Sequence, residues 1–384
     1  MEVMQGSARI PGFGRLAVEQ QARLWAAFAR LDSGLAAELL ALMKRTDSPP
    51  IRAAPNFKIT FKGETKEYMV PMAIEEASVV PAASNGGKMA WGSGGFDAAY
   101  TGSISEGDIE VRDVQNAARV SDRISAAKPL LLDRMNRLST HVVAQDMRVE
   151  RAKYKERESL MLRFEFDTGD SMGANRINGM LEHIIPIVTA LVAGDGRVEN
   201  GILSNDYPKR LVMVGAKVDV EDVGGMEVAE GIAHFSEYGD AFGFRGVTNN
   251  KGIMNGVVGV LAAMDNDTRA AEAAAHKYVC NYKAYGSLSK WTLGSDGRLH
   301  GEMSLPAPFA TVGGAIGLYG QSLMARKLIS RNEEKSLHVD EFACVVGSVG
   351  LASNLSALRA HAAEGIQRGH MRLFERQKEE LKRD

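Results

Sequence analysis

From residue 101 to 220 the chain alternates between strand-like and helix-like stretches in an order that few folds accommodate. "SISEGDIEVRD" reads as a strand, residues 114 to 140 as a helix, "QDMRVERAKY" and "ESLMLRFEFDTG" as two strands, residues 172 to 193 as a second helix and "RLVMVGAKVDV" as a last strand. Strand, helix, two strands, helix, strand is the split βαβ plait of ferredoxin-like units. Residues 101–210 are therefore predicted to form a small inserted domain, and residues 1–100 and 211–384 one larger domain with a short C-terminal tail over 371–384. The fold class is α+β: a large mixed α/β domain carrying a ferredoxin-like βαββαβ insert.

The flanks of the insert support this division. Residues 16 to 44 have helical apolar spacing with a break at Asp32, Ser33 and Gly34, and "DSPP" at 47 to 50 stops the helix. "NFKITFKGETKEYMVPMAI" alternates on both sides of Gly63 and Glu64 and reads as a hairpin. It delivers the chain to "EEASVVPAASNGGKMAW", which reads as a helix with Pro81 tolerated in its first turns. A glycine-rich patch, "WGSGGFDAAYTG", marks the change of character near residue 101.

Composition narrows the function. At 384 residues, 45% hydrophobic and 24% charged, the chain can bury a large core. A formal net charge of −2 gives no electrostatic reason to expect nucleic acid or an anionic membrane as partner, so an anionic ligand must be met by a local basic site. "HIIPIVTALVAG" is too short and too interrupted to span a bilayer, and the first residues lack the pattern of a signal peptide. Cys280 and Cys344 stand apart, without CxxC or Cys/His spacing, so neither a disulfide framework nor a metal site is expected. The compartment implied is the cytoplasm. No GxGxxG follows a strand and no GxxxxGK[ST] occurs, so a nucleotide must be held in some other way.

Four local patterns carry candidate chemistry. In "FDTGDSMGANRIN" a glycine-bearing loop leads into a helix N-terminus, which suits a pyrophosphate or is an ordinary cap. Glu75 and Glu76 sit at a strand-to-helix corner, either as charges favouring the helix start or as a proton donor beside an ammonium. The spacing of "TNNKGIMNGVVGVLAAMDNDTRAAEAAAH" predicts an apolar helix beginning near Lys251 and a second one after Asp267. A lysine at such an N-terminus has its charged form disfavoured unless a carboxylate compensates, and Asp267 is either that carboxylate or a helix N-cap. His370, after Gly369, is either an exposed histidine or an imidazole on a mobile tail that swings over a site as a proton donor.

Taken as a set, "EEASVVPAAS", "DSMGANRIN", "ILSNDYPKRL", "TNNKGIMNG", "NDTRAAEAAAH", "SLPAPFATVGGA" and "EGIQRGHM" resemble the 3-hydroxy-3-methylglutaryl-coenzyme A (HMG-CoA) reductases of the soluble bacterial type. The resemblance implies a large CoA-binding domain, an inserted nucleotide-binding domain, and a homodimer or assembly of dimers with active sites between subunits. The implied reaction is the four-electron reduction of (S)-HMG-CoA to (R)-mevalonate and CoA by two NADH or NADPH, or its reverse. Residue by residue, it implies that Lys251 stabilises the oxyanion, Asp267 holds that lysine, Glu76 donates a proton to the aldehyde and His370 protonates the departing thiolate. Ser78, Asn205 and Arg245 would contact the HMG group, and Asp170, Met172, Gly173 and Asn175 the nicotinamide cofactor. Ser171 and Ala77 stand where the family has alanine and proline, and the family's ENVIG word is not recognisable before Asn56. Two other readings keep the fold: a homologue acting on another short branched acyl-CoA, and a CoA- or nucleotide-binding protein without turnover.

Overall fold

The computed structural model describes residues 7–44, 49–155, 157–280, 284–331, 337–363 and 365. The chain divides into two compact units, one of Met1–Tyr100 with Val212–Asp384 and one of Thr101–Leu211. The large unit begins with α1 (Val18–Phe28), α2 (Ser33–Met43), β1 (Arg52–Phe61), β2 (Glu64–Met72), α3 (Val79–Trp91) and β3 (Phe96–Tyr100). The insert holds β4 (Ile104–Arg112), α4 (Ala117–Ala126), α5 (Lys128–Asn136), β5 (Val143–Tyr154), β6 (Arg157–Asp167), α6 (Ala174–Val192), β7 (Arg197–Val198) and β8 (Ile202–Leu203). The chain then returns as β9 (Leu211–Asp219), α7 (Val220–Val223), α8 (Met226–Ala241), α9 (Gly243–Ala263), α10 (Thr268–Val279), β10 (Ser289–Leu293), β11 (Arg298–Pro306), α11 (Gly320–Ile329) and α12 (Val339–Ala363).

Local chemistry accounts for several boundaries. Asp32 caps α2 by accepting from the Leu35 amide at 2.9 Å, which places the break between the first two helices at the predicted Asp-Ser-Gly. β1 and β2 pair antiparallel across Lys62 and Gly63, both in the left-handed region that a tight hairpin turn demands. In the insert the sheet order is β5-β6-β4-β7, with β8 also on β4. Leu160, Leu162, Phe164 and Phe166 of β6 share one apolar core with Ile177, Leu181 and Ile184 of α6 and Val120 and Ile124 of α4.

Two expectations change here. The last predicted strand, "RLVMVGAKVDV", is β9, and it pairs with β3 in the large unit's six-stranded sheet, ordered β10-β11-β9-β3-β1-β2. The plait closes instead with the short β7 and β8, whose two residues each are too few to show periodicity. The helix predicted over 114 to 140 is two, α4 and α5, divided at Ala127 before Pro129.

The centre of the large unit is α12. By length and apolarity it could cross a membrane, yet 89% of its apolar window is buried inside the protein. It is a core helix, and small residues let its neighbours approach. A Cβ on Gly86 of α3 would stand 2.0 Å from the carbonyl oxygen of Ala352.

Candidate active site

The first half of the site is built at the exit of β2. The Ala73 amide donates to the Gly259 carbonyl of α9 at 2.8 Å, tying the end of the strand to that helix. Glu76 follows, half-buried in the turn before α3. Ser78 occupies the N-cap of α3 but does not cap with its side chain. Its hydroxyl donates to Glu76 Oε1 at 2.8 Å, and Lys251 Nζ donates to Glu76 Oε2 at 3.1 Å. Residues from distant parts of the sequence thus place an ammonium, a carboxylate and a hydroxyl in one cluster. Glu75 points into solvent.

Lys251 does not open its helix. α9 starts at Gly243, so the lysine lies more than two turns inside it, and the end-of-helix electrostatics expected from the sequence do not apply. "GFRGVTNN" reads as loop because of its glycines and asparagines, but tertiary hydrogen bonds make it helix. Asn249 and Asn250 are buried. Asn250 Nδ2 donates to the Gly286 carbonyl at 2.9 Å and its Oδ1 accepts from the Leu288 amide at 2.9 Å. Asn249 Oδ1 accepts from Asn354 Nδ2 of α12 at 2.7 Å, and Asn354 Oδ1 accepts from Trp291 Nε1 at 2.8 Å and Ser289 Oγ at 2.9 Å. These contacts fix the roll of α9 and so the direction in which Lys251 leaves it. The lysine side chain is 63% exposed, open to a substrate oxygen.

Asp267 is the N-cap of α10. Its Oδ1 accepts from the amides of Arg269 and Ala270, each at 3.0 Å, and its Oδ2 pairs with Arg269 Nη2 at 3.2 Å. Among the described residues it makes no direct hydrogen bond with Lys251; the ammonium's partner is Glu76. Arg245 sits in the first turn of α9 with its guanidinium carbon 5.6 Å from the Tyr238 ring centre. His361 of α12 stacks on Phe235 at 3.8 Å, and burial, with the nearby Arg245 charge, holds its imidazole below the ordinary range.

In the inserted unit, Asp170 and Met172 lie on the loop between β6 and α6, Gly173 is the N-cap of α6 and Asn175 is exposed in its first turn. Gly173 has φ +81°, and a Cβ there would stand 2.5 Å from Thr168 Cγ2, so glycine is required twice over. It offers the helix no side-chain cap. The open position at Gly169, where a Cβ would meet nothing within 4 Å, leaves room beside the amides. A 19-residue helix whose first-turn amides are approached over glycine fits a dinucleotide's phosphates. Asn205 is exposed on the bend after β8. His370 and the tail over 371–384 lie outside the described residues.

Residues 48–375 match the family model of hydroxymethylglutaryl-coenzyme A reductase. The chain belongs to this family. It is 35% identical to the 3-hydroxy-3-methylglutaryl-coenzyme A reductase of Archaeoglobus fulgidus, over 96% of this chain and 86% of the relative. It is 33% identical to the probable reductase of Borreliella burgdorferi, over 84% and 73%. Among solved structures, the reductase of Streptococcus pneumoniae superposes with a TM-score of 0.85 at 32% identity, covering 94% of this chain and 89% of that one. The class II reductase of the same organism, bound to NADPH in open conformations, matches with a TM-score of 0.83 at 33% identity, over 91% and 98%.

Within this reductase two departures from the family words have visible consequences. Ser171, in the place of alanine, donates its hydroxyl to the Thr168 carbonyl at 2.9 Å and closes the turn before Met172. Ala77, in the place of proline, leaves an amide between the carboxylate and the hydroxyl of the cluster. Sequence reasoning missed the inward work of Asn249 and Asn250, and it missed Arg210, which holds the 168–171 turn. The signal available for Arg210 was the cation pair Lys209–Arg210 just before an apolar strand, which does not say which of the two turns inward.

Proposed function

We propose that the protein is a catalytically competent HMG-CoA reductase, taking (S)-HMG-CoA to (R)-mevalonate and CoA with two NADH or NADPH, or running the reverse reaction. The observation that carries this reading is the contact of Lys251 with Glu76, braced by Ser78. Reduction of a thioester places negative charge on its carbonyl oxygen, and an ammonium already in position stabilises that charge without reorganising. The nicotinamide supplies hydride when bound at the Asp170, Met172, Gly173 and Asn175 loop. Lys251 holds the oxyanion, and Glu76, bonded to Lys251, delivers the proton that the aldehyde oxygen takes up in the second reduction. Asp267 acts on the lysine's field through the site rather than by direct contact. Arg245, with its planar fork, suits the free carboxylate of the substrate, and Ser78 and Asn205 complete its recognition. His370 protonates the departing thiolate. The active form in this reading is a homodimer, or an assembly of dimers, with sites between subunits, in the cytoplasm.

Separating the two reductions tests the division of labour. A Glu76→Gln variant should reduce mevaldehyde at least about a hundredfold more slowly than the wild type, the usual range for a lost general acid. Unchanged mevaldehyde reduction in a folded variant would remove Glu76 from the proton-donor role.

A further inference from the structure

The turn that leads into α6 is gripped from behind by one arginine. Arg210 is fully buried. Its Nη1 donates to Thr168 Oγ1 at 2.7 Å and lies 3.3 Å from both Ser105 Oγ and the Ser171 carbonyl oxygen. Its Nη2 reaches the same Ser171 carbonyl at 3.2 Å. Thr168 and Ser171 are the two ends of one turn, already closed by the Ser171 amide and hydroxyl on the Thr168 carbonyl at 3.1 and 2.9 Å. One planar guanidinium therefore spans both ends of the segment that carries Asp170 and runs into Met172 and Gly173. A cation taken wholly out of water is costly unless negative charge or aligned dipoles answer it. Here the hydroxyls of Ser105 and Thr168 and the Ser171 carbonyl face it, and α6, whose N-terminus has no side-chain cap, follows directly.

We propose that Arg210 is a positioning residue of the dinucleotide site: it fixes the 168–171 turn and places a permanent positive charge behind the seat of the pyrophosphate. This rests on the reading of that loop as the cofactor site. Lysine at this position keeps the charge but, as a point donor, cannot span both ends of the turn; glutamine keeps a donor and loses the charge.

The test compares wild type, Arg210→Lys and Arg210→Gln in the full chain. NADH and NADPH affinities are read by titration, KM for HMG-CoA and kcat by turnover, and amide exchange over 168–175 both without ligand and with each dinucleotide added. The expected result is dinucleotide binding weakened about tenfold or more in Arg210→Gln and less in Arg210→Lys, with KM for HMG-CoA within about twofold of wild type and faster exchange confined to the turn. Wild-type dinucleotide affinity in both variants would overturn the role of Arg210 alone. So would equal losses for HMG-CoA and dinucleotide, which mark a merely structural part. If Arg210→Gln does not fold, Arg210→Lys decides by the same split. Failure of the wild type to protect 168–175 on adding either dinucleotide would sink the loop assignment itself, and this inference with it.

Discussion

Lys251 and Glu76 meet because a strand exit is tied to α9 by one backbone hydrogen bond and because two buried asparagines set the roll of that helix. The ammonium is exposed enough to meet a substrate oxygen and close enough to a carboxylate to stay oriented. Lys251→Ala should lower kcat for HMG-CoA reduction by about 100- to 1,000-fold, the scale of losing one oxyanion donor, while leaving dinucleotide affinity unchanged. Near-normal turnover would assign the oxyanion to another group. At Gly173 the positive φ and the Thr168 methyl both exclude a side chain. Gly173→Ala should therefore weaken NADH or NADPH binding more than it lowers the melting temperature, and a titration beside a thermal melt checks it. At this scale the sequence pointed to Glu76, Ser78 and Lys251, which the structure brings together, through family words whose spacing alone was ambiguous. It could not show which partner each takes, because Glu76 and Lys251 meet only through the tertiary fold.

At the scale of elements, Asp267 caps α10, and the proposed mechanism gives its charge a second role; the two separate experimentally. Asparagine caps as well as aspartate does, so Asp267→Asn should keep the melting temperature, whereas Asp267→Ala should lose about 1 kcal/mol of stability. If both variants lose turnover alike, the charge matters; full activity in Asp267→Asn would leave only the cap. Asn354 joins α12 to α9 and β10, and Asn354→Leu strands the Trp291 indole N–H and the Asn249 side chain in the core. The expected cost is about 2–4 kcal/mol, since each buried polar group left unpaired costs about 1–3 kcal/mol, and denaturant unfolding measures it. The hairpin, the capped α2 and α10, and the long strands of the insert were legible because each has its own periodicity or cap. The start of α9 was not, since "GFRGVTNN" is helical only through contacts from α12 and the segment before β10. Nor were β7 and β8, too short to carry a pattern, or β3, whose glycine-rich lead hid it.

For the whole molecule, the sequence order of the insert was readable but the ownership of β9 was not, because an alternating strand does not state which sheet it joins. One ion pair of the large unit, Lys62 with Asp340, bears on acid stability. Burial works to raise the Asp340 carboxyl, but the Lys62 ammonium at 2.6 Å and the Glu341 amide outweigh it and hold it below the ordinary value. A carboxyl lowered by folding stabilises above its unfolded value near 3.9 and loses that contribution as pH falls through its lower folded value. The melting-temperature gap between wild type and Asp340→Asn should therefore be present at neutral pH and close in acid below about pH 4; a gap independent of pH would mean the pair contributes nothing through ionisation. The measurement that reaches the central claim most directly follows cofactor oxidation and free CoA thiol together, with HMG-CoA and either NADH or NADPH. Two cofactors oxidised for each thiol released is the predicted result. Folded protein that binds HMG-CoA yet releases no thiol with either cofactor, and forms none of the reverse product from mevalonate, CoA and oxidised cofactor, would contradict it.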